Sequence, residues 1–209
     1  MSNINLSDKV SIMNYGIGVQ HRLANLSELV ADIVKEKDYS DIKKLTDNLL
    51  ELMSMDERKT PVYADALIDA IRENLLQARV DLLKECKLYE ELRNTNEVYI
   101  TQLSEAVTEG ELFLNNVKDN RETHSDALAF AQLKSRVKEL KTSKTVASTL
   151  TEQLALYQKN SAAFAERISS VINALMPLWE SKIALSVNKE STEKAFKMMK
   201  ALMNEVKAV

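Results

Sequence analysis

Residues 82–103 read LLKECKLYEELRNTNEVYITQL and contain neither Gly nor Pro. Their apolar side chains recur at steps of three, four or seven, the spacing of one face of an α-helix. The stripe runs from Ile68 to Leu114, with Gly110 as its strongest helix breaker. A helix over 61–117 would span roughly 80 Å at 1.5 Å per residue, too long to be stable without a packing partner. The stretch therefore predicts one long amphipathic helix that is buried along one face.

The chain itself supplies a partner for this helix. Residues 118–126, KDNRETHSD, form a polar turn without an apolar residue. After the turn, apolar positions alternate steps of three and four over several heptads, which is typical of a coiled coil. These positions are Ala147, Leu150, Leu154, Tyr157, Ser161, Phe164, Ile168, Val171, Leu175 and Leu178. We predict a long antiparallel coiled-coil hairpin over residues 61–176.

Shorter helical segments flank the hairpin. Residues 1–60 show two helical patterns, the second starting at Ser40, and predict an N-terminal helical hairpin in which Gly16 and Gly18 break the first turns or press against a neighbour. Residues 177–209 predict a C-terminal helix after a proline kink. With only three Gly, two Pro and 28% charged residues, the composition favours long helices. The predicted fold is an all-α, elongated bundle.

Charge and composition exclude several classes of function. The net charge of −3 provides no global field for nucleic acid. The start, MSNINLSDKV, has no apolar signal region, and no window approaches ~18 uncharged apolar residues. The single cysteine, Cys86, forms no disulfide framework and lies on the apolar stripe. We expect a cytoplasmic protein that binds no nucleic acid.

Few residues suggest catalysis. The two histidines, His21 and His124, have no His or Cys neighbour at metal-ligand spacing. His124 lies between Glu122 and Asp126, but one imidazole and two carboxylates in a polar turn favour a solvated, capped turn over a metal site. Phosphate-loop, dinucleotide and hydrolase motifs are missing from the sequence. We predict no catalytic residue, no metal and no cofactor, and hence no enzyme.

Tyr89, Asn96 and Tyr99 are the first candidate interaction residues. Their spacings of seven and three place them on roughly one face of the long helix. A polar residue on an apolar seam usually finds a partner inside the bundle and sets its register. A polar groove for a ligand or a partner is the functional alternative.

The stretch MPLWESKIAL, residues 176–185, supplies the second candidate. Pro177 interrupts a helical pattern, and Trp179 is the only tryptophan. A proline bends a helix by removing a backbone donor. We predict a kink or helix junction at Pro177 with Trp179 packed over it. Trp179 suits core packing at least as well as direct binding of a partner.

The tail, STEKAFKMMKALMNEVKAV, is the third candidate. Phe196, Met199 and Met203 share one face, surrounded by lysines. Methionine-rich basic amphipathic helices suit adaptable partner binding or a membrane surface. Folding of the tail back onto the first two helices is an equal alternative.

Three stretches of the chain together carry a family resemblance: SIMNYGIGVQHRLANLSELV (11–30), LLKECKLYEELRNTNEVYITQLSEAVTEGE (82–111) and NSAAFAERISSVINALMPLWESKIAL (160–185). They resemble the TelA family of toxic-anion (tellurite) resistance proteins, and the resemblance covers residues 11–188. Tyr15-Gly16 and Gln20 match a family start, Gly110 follows the Tyr–Asn–Tyr helix, and the PLW motif comes last. Usual members continue well beyond this motif, whereas this chain ends soon after it.

The resemblance implies a cytoplasmic protein of bacterial stress resistance without established catalytic residues. We expect a non-enzymatic scaffold or adaptor that acts through protein partners and can form a homo-oligomer. The alternatives are a peripheral membrane-surface protein that uses its basic tail, with weak membrane contact, and a coiled-coil structural component of a mobile element.

Overall fold

A computed structural model describes residues 4, 8–37, 39–54, 64–117 and 124–184 of the chain. The helices are α1 Lys9–Asn14, α2 Ile17–Lys35, α3 Ser40–Ser54, α4 Ala64–Val117, α5 His124–Ser170 and α6 Met176–Ala184, with a π-helical turn, Val171–Leu175, between α5 and α6. No strand occurs in these ranges. The all-α prediction is confirmed, since the amphipathic periodicity of the sequence is realised as helices that pack through their apolar faces.

The first helical pattern is interrupted at one of its two glycines. Asp8 caps α1 by accepting a hydrogen bond from the backbone N–H of Val10 at 2.9 Å. Tyr15 has φ −60° and ψ 117°, and Gly16 has φ 70° and ψ 3°. This pair of conformations is that of a type II turn, whose second central residue requires positive φ. Gly18 lies inside α2 and does not interrupt it.

The two long helices run antiparallel. Glu111 of α4 pairs with Lys141 of α5, and Asn96 bonds to Ala147. Farther back along α4, Cys86 lies beside Gln158. Residue numbers fall along one helix as they rise along the other, as predicted from the polar turn between them. The coiled-coil geometry and the elongated shape stay predictions.

The contacts divide the chain into two compact units. Unit 1 combines α1 and α2 with α4 from Leu88 onward and α5 up to Tyr157. Unit 2 combines α3 with α4 up to Lys87 and with the chain from Gln158 through α6. Each unit is thus assembled from stretches that are distant in sequence. The sequence predicts a division of the chain into three consecutive segments, with boundaries at residues 60/61 and 176/177. That division concerns the order of segments along the chain and stays a prediction.

Each unit has its own apolar core. The fully buried side chains of unit 1 include Ile12, Leu103, Leu133, Leu140 and Leu154. Those of unit 2 include Leu49, Met53, Leu75, Leu82, Leu175 and Met176. Burying a leucine side chain contributes about 1.5–3 kcal/mol, so these residues supply the main driving force for packing the helices.

Candidate functional site

Tyr15, at the turn between α1 and α2, is bonded to both long helices of unit 1. Its side chain is 3% exposed, and its hydroxyl donates to the backbone carbonyl of Ala106 at 2.6 Å. The carboxylate of Glu109 lies 3.4 Å from the same hydroxyl. The backbone carbonyl of Tyr15, left unpaired by the turn, accepts a hydrogen bond from Nε of Arg136 at 2.7 Å.

Arg136 is the centre of this polar cluster, which we call the Tyr15–Arg136 cluster (Tyr15, Gln20, Arg136, Glu139 and Ser143). Its guanidinium also donates to the side-chain oxygen of Gln20 and, at 2.8 Å, to Glu139. The amide nitrogen of Gln20 in turn donates to the hydroxyl of Ser143 at 2.6 Å. Charge-assisted bonds of this kind are stronger than neutral ones, so the cluster ties the α1–α2 turn to α5.

Two glycines allow the backbone to approach at this cluster. A Cβ atom on Gly16 would lie 2.6 Å from Cδ2 of Leu140. A Cβ atom on Gly110 would lie 2.5 Å from Cγ2 of Val137 and 3.4 Å from Cε1 of Tyr15. Gly110 therefore lies inside α4 as a point of close helix contact rather than as a helix breaker.

The Tyr15 hydroxyl predicts a pH dependence of stability. Burial, together with the negative charge of Glu109, raises the pKa of Tyr15 to about 12. The neutral side chain thus stabilises the folded state fully below the ordinary tyrosine pKa of about 10, and this contribution is lost as the pH rises from 10 towards 12. The difference in free energy of unfolding between wild type and Tyr15→Phe should shrink over this interval in alkaline denaturation curves. A tyrosinate of Tyr15 that forms near pH 10 in absorbance titration of the two proteins would contradict this.

The predicted Tyr89–Asn96–Tyr99 face is largely enclosed in unit 1. Asn96 is fully buried, and its Nδ2 donates to the Ala147 carbonyl at 2.6 Å and to Thr151 Oγ1 at 2.9 Å. The ring of Tyr89, also buried, lies 5.7 Å from that of Tyr157. Tyr99 is half-buried, and the guanidinium of Arg22 lies 5.7 Å from its ring centroid.

Asn96 has one unsatisfied atom. Its Oδ1 has no hydrogen-bond partner among the described residues. Rotating the amide would not help, because it would bring two acceptors, Oδ1 and the Ala147 carbonyl, together. An unpaired buried carbonyl is costly. This cost offsets the two hydrogen bonds donated by Nδ2, so the Asn96 side chain adds little net stability to the fold.

Asn96 predicts opposite outcomes for two substitutions. Asn96→Leu should keep stability within about 1 kcal/mol of wild type, because it removes the unpaired oxygen, and Thr151 Oγ1 still donates to the Ala147 carbonyl at 3.3 Å. Asn96→Asp should cost about 3 kcal/mol or more at neutral pH, because it buries a carboxylate against a carbonyl. Urea denaturation measures both. Strong destabilisation by Asn96→Leu would show instead that the amide holds an essential network.

Unit 2 contains a second polar cluster, centred on Glu85. Tyr39 Oη donates to its Oε2 at 3.1 Å, and Oγ of the buried Ser161 donates to the same oxygen at 3.2 Å. The ring of Tyr39 stacks on Phe164 at 5.1 Å. Burial, followed by the charge of Glu85, raises the pKa of the half-buried Cys86 thiol. A raised pKa keeps the sulfur as a thiol, which is a poor nucleophile.

Trp179 lies in the core of unit 2. It is 3% exposed and belongs to the same apolar cluster as Ile71 and Leu75 of α4. Pro177 is exposed and follows the π-helical turn, so the helix changes type beside it. The bend angle at Pro177 stays a prediction.

The tail residues Phe196, Met199 and Met203 lie outside the described residues, as does the side chain of His124. Within the described ranges, no group of three His, Cys, Asp or Glu side chains is arranged to hold a metal ion. No helix in these ranges is long and apolar enough to cross a membrane.

Comparison with known proteins identifies the family. The family model described as toxic anion resistance protein (TelA) matches residues 63–208. The chain belongs to the TelA family. The uncharacterized protein YaaN of Bacillus subtilis (strain 168) is 25% identical over 222 residues, which cover 85% of this chain and 58% of that protein. The TelA-family chain thus spans little more than half the length of this relative. No solved structure matches it significantly.

The structure brings together TelA-like residues that are far apart in sequence. Tyr15, Gly16 and Gln20 precede the matched residues 63–208, yet they contact the matched helices at Ala106, Leu140 and Ser143. The resemblance in the sequence singled out both glycines and the glutamine. It missed Arg136, which lies in the charged run KSRVKELK and carries no local signal that distinguishes it from its neighbours.

Proposed function

We propose that this TelA-family chain is a non-enzymatic helical adaptor in toxic anion resistance that acts through protein partners. Family membership supports the link to anion resistance. The adaptor role is supported by one surface feature of unit 2. Leu76, Val80 and Leu83 lie at i, i+4 and i+7 on α4 and are 40%, 45% and 48% exposed.

Three large apolar side chains at this spacing form one continuous strip along a helix. We call it the α4 strip (Leu76, Val80 and Leu83). Exposed apolar patches are characteristic of interaction sites, and i, i+4, i+7 anchors are those by which helices bind protein grooves. We infer that the α4 strip packs against a protein partner.

The polar clusters support the same proposal. Enclosed polar side chains, such as Tyr15, Arg136 and Asn96, bond to backbone carbonyls or side chains of neighbouring helices. Such bonds hold helices in a defined register. They fit a protein whose task is to present surfaces of fixed geometry.

A growth assay tests the adaptor function. In a bacterial strain that has lost its TelA-family gene and with it tellurite resistance, wild-type protein should restore growth on tellurite. Leu76→Glu/Leu83→Glu should restore little growth although its circular dichroism matches wild type, because the charges disrupt only an exposed apolar surface. Asn74→Glu/Asn94→Glu is the matched control, since it adds the same two charges to exposed positions of α4.

Two outcomes would overturn this function. Full protection by Leu76→Glu/Leu83→Glu, at equal protein level, would show that the α4 strip binds no partner needed for resistance. Consumption of tellurite by the purified chain with a nicotinamide or thiol reductant, at several times the rate of the same mixture without protein, would show instead that the protein is an enzyme.

A further inference from the structure

A basic groove lies in unit 1, between the end of α4 and the start of α5. Its volume is ≈ 550 Å³. Leu114, Phe130 and Val137, each largely buried, contribute its apolar floor. The lysines that line it are Lys134, Lys138 and Lys141. We call it the lysine groove.

The lysine groove is on a different side of α5 from the α1–α2 turn. Arg136, Leu140 and Ser143 face that turn. Lys141 follows Arg136 by five positions, which rotates it about 140° around the helix axis. The α1–α2 turn thus covers one side of the paired helices, and the lysine groove opens on another.

The charge of the groove is unbalanced. Glu111 is the one acidic side chain among the described residues that line it, and it pairs with Lys141 at 2.6 Å. Lys134 and Lys138 are exposed and form no ion pair with another described residue. Among the residues that the structure describes, three lysines against one glutamate leave two positive charges beside an apolar floor, in a chain whose net charge is −3. The groove therefore favours an acidic ligand with an apolar part.

The spacing of the lysines indicates the form of the ligand. Positions 134, 138 and 141 are i, i+4 and i+7 of α5, and the first and last are about 10.5 Å apart along its axis. Another α-helix with carboxylates at i and i+4 has the same rise and matches Lys134 and Lys138 without distortion, and a carboxylate at i+7 would lie beside Lys141, which Glu111 already pairs. An extended peptide rises about 3.3 Å per residue and would need a carboxylate at roughly every second residue.

We propose that the lysine groove binds an acidic amphipathic helix of a partner protein. An apolar side chain of that helix packs on Phe130 and Val137, while its carboxylates meet Lys134 and Lys138. The proposal deepens the adaptor function and rests on it. The groove is tested by binding to purified protein and lies in unit 1, whereas the adaptor function is tested by growth and through the α4 strip of unit 2. A failure of the groove proposal is therefore distinguishable from a failure of the adaptor function.

A peptide titration tests the groove with the full chain. The probe is a fluorescein-labelled Ala/Leu-based helical peptide with Glu at i, i+4 and i+7, and its control carries Gln at these positions. Fluorescence anisotropy should show that the Glu peptide binds more tightly than the Gln peptide, and added salt should weaken it. Lys134→Glu/Lys138→Glu should weaken binding of the Glu peptide by about tenfold or more, because two attractions become repulsions. Lys87→Glu/Lys159→Glu, which reverses two exposed lysines of unit 2, should bind within about twofold of wild type.

Several results would overturn the proposal. Equal binding of the Glu and Gln peptides, or no binding of either, would show that the lysines do not recognise carboxylates on a helix. Equal loss of Glu-peptide binding in both double variants would show that the peptide responds only to the net charge of the protein. Phosphatidylserine vesicles that bind through Lys134 and Lys138 and displace the peptide would assign the groove to an anionic membrane. Self-association of the chain that is abolished by Lys134→Glu/Lys138→Glu would assign it to a second copy.

Discussion

Trp179→Ala should lower the free energy of unfolding by about 3–5 kcal/mol, the usual cost of removing a buried tryptophan. Trp179 is 3% exposed and shares its apolar cluster with residues of α3, α4 and α5. A cavity at this point removes contacts that join several helices, which cannot all move inward to fill it. Because whole domains are stable by only about 5–15 kcal/mol, the variant should lose much of the stability of unit 2.

Two measurements check this effect. Thermal and urea unfolding followed by circular dichroism should give the loss in stability, and limited proteolysis should cut Trp179→Ala first in the segment after about residue 180. Trp179→Phe should lose clearly less, since an aromatic ring still fills most of the site. Leu156→Ala, at a leucine that is 55% exposed, should change stability by no more than about 0.5 kcal/mol. Wild-type stability in Trp179→Ala, or fluorescence of wild-type Trp179 like that of free tryptophan, would show that its side chain is on the surface.

Gly16→Ala should destabilise unit 1 by about 2–5 kcal/mol. Gly16 has φ +70°, a left-handed conformation that costs an L-residue roughly 1–2 kcal/mol. The added methyl group would also lie 2.6 Å from Cδ2 and 2.9 Å from Cδ1 of Leu140, and overpacking of this kind costs about 1–3 kcal/mol. Leu140 is fully buried, so it has little room to move away.

Gly18 provides the matched control two residues later. The nearest atom to a Cβ there is the flexible Arg22 Nη1 at 3.8 Å, and the backbone is helical. Gly18→Ala should therefore raise stability, by up to about 1 kcal/mol, since alanine loses less conformational entropy in a helix. Amide hydrogen exchange in α2 reports both effects. Equal changes in the two variants would rule out the turn and the Leu140 contact as the cause.

Local sequence pattern was sufficient to predict the helices. Apolar spacing and the scarcity of Gly and Pro predicted a helix over 61–117, and α4 spans Ala64–Val117. The polar turn at 118–126 predicted the reversal before α5, which begins at His124. Both signals are local, because helix formation depends on residues three and four positions apart. The family was also recognisable, since its motifs are short stretches of sequence.

Partners across the helices were not predictable in the same way. Gly110 was the strongest breaker in the pattern, yet α4 continues through it. Val137 and Tyr15 occupy the space that a Cβ would need, so the glycine allows close packing at this point of a continuous helix. In the sequence, Arg136 is not distinguishable from the charged residues around it. In the structure its guanidinium donates a hydrogen bond to the carbonyl of Tyr15, 121 positions away. The lysines at 134, 138 and 141 likewise follow ordinary helical spacing, and an apolar floor beside them appears only when α4 and α5 are paired.

The sequence by itself determined that this chain is helical, where its long helices run and to which family it belongs, because each follows from residues close together along the chain. Only the tertiary structure decided that the helices form two units, each assembled from distant stretches. It also decided which polar residues are enclosed in bonds between helices and which apolar and basic residues are exposed. The physical reason is that burial and hydrogen bonding depend on side chains brought together across helices, which the spacing within one helix does not specify.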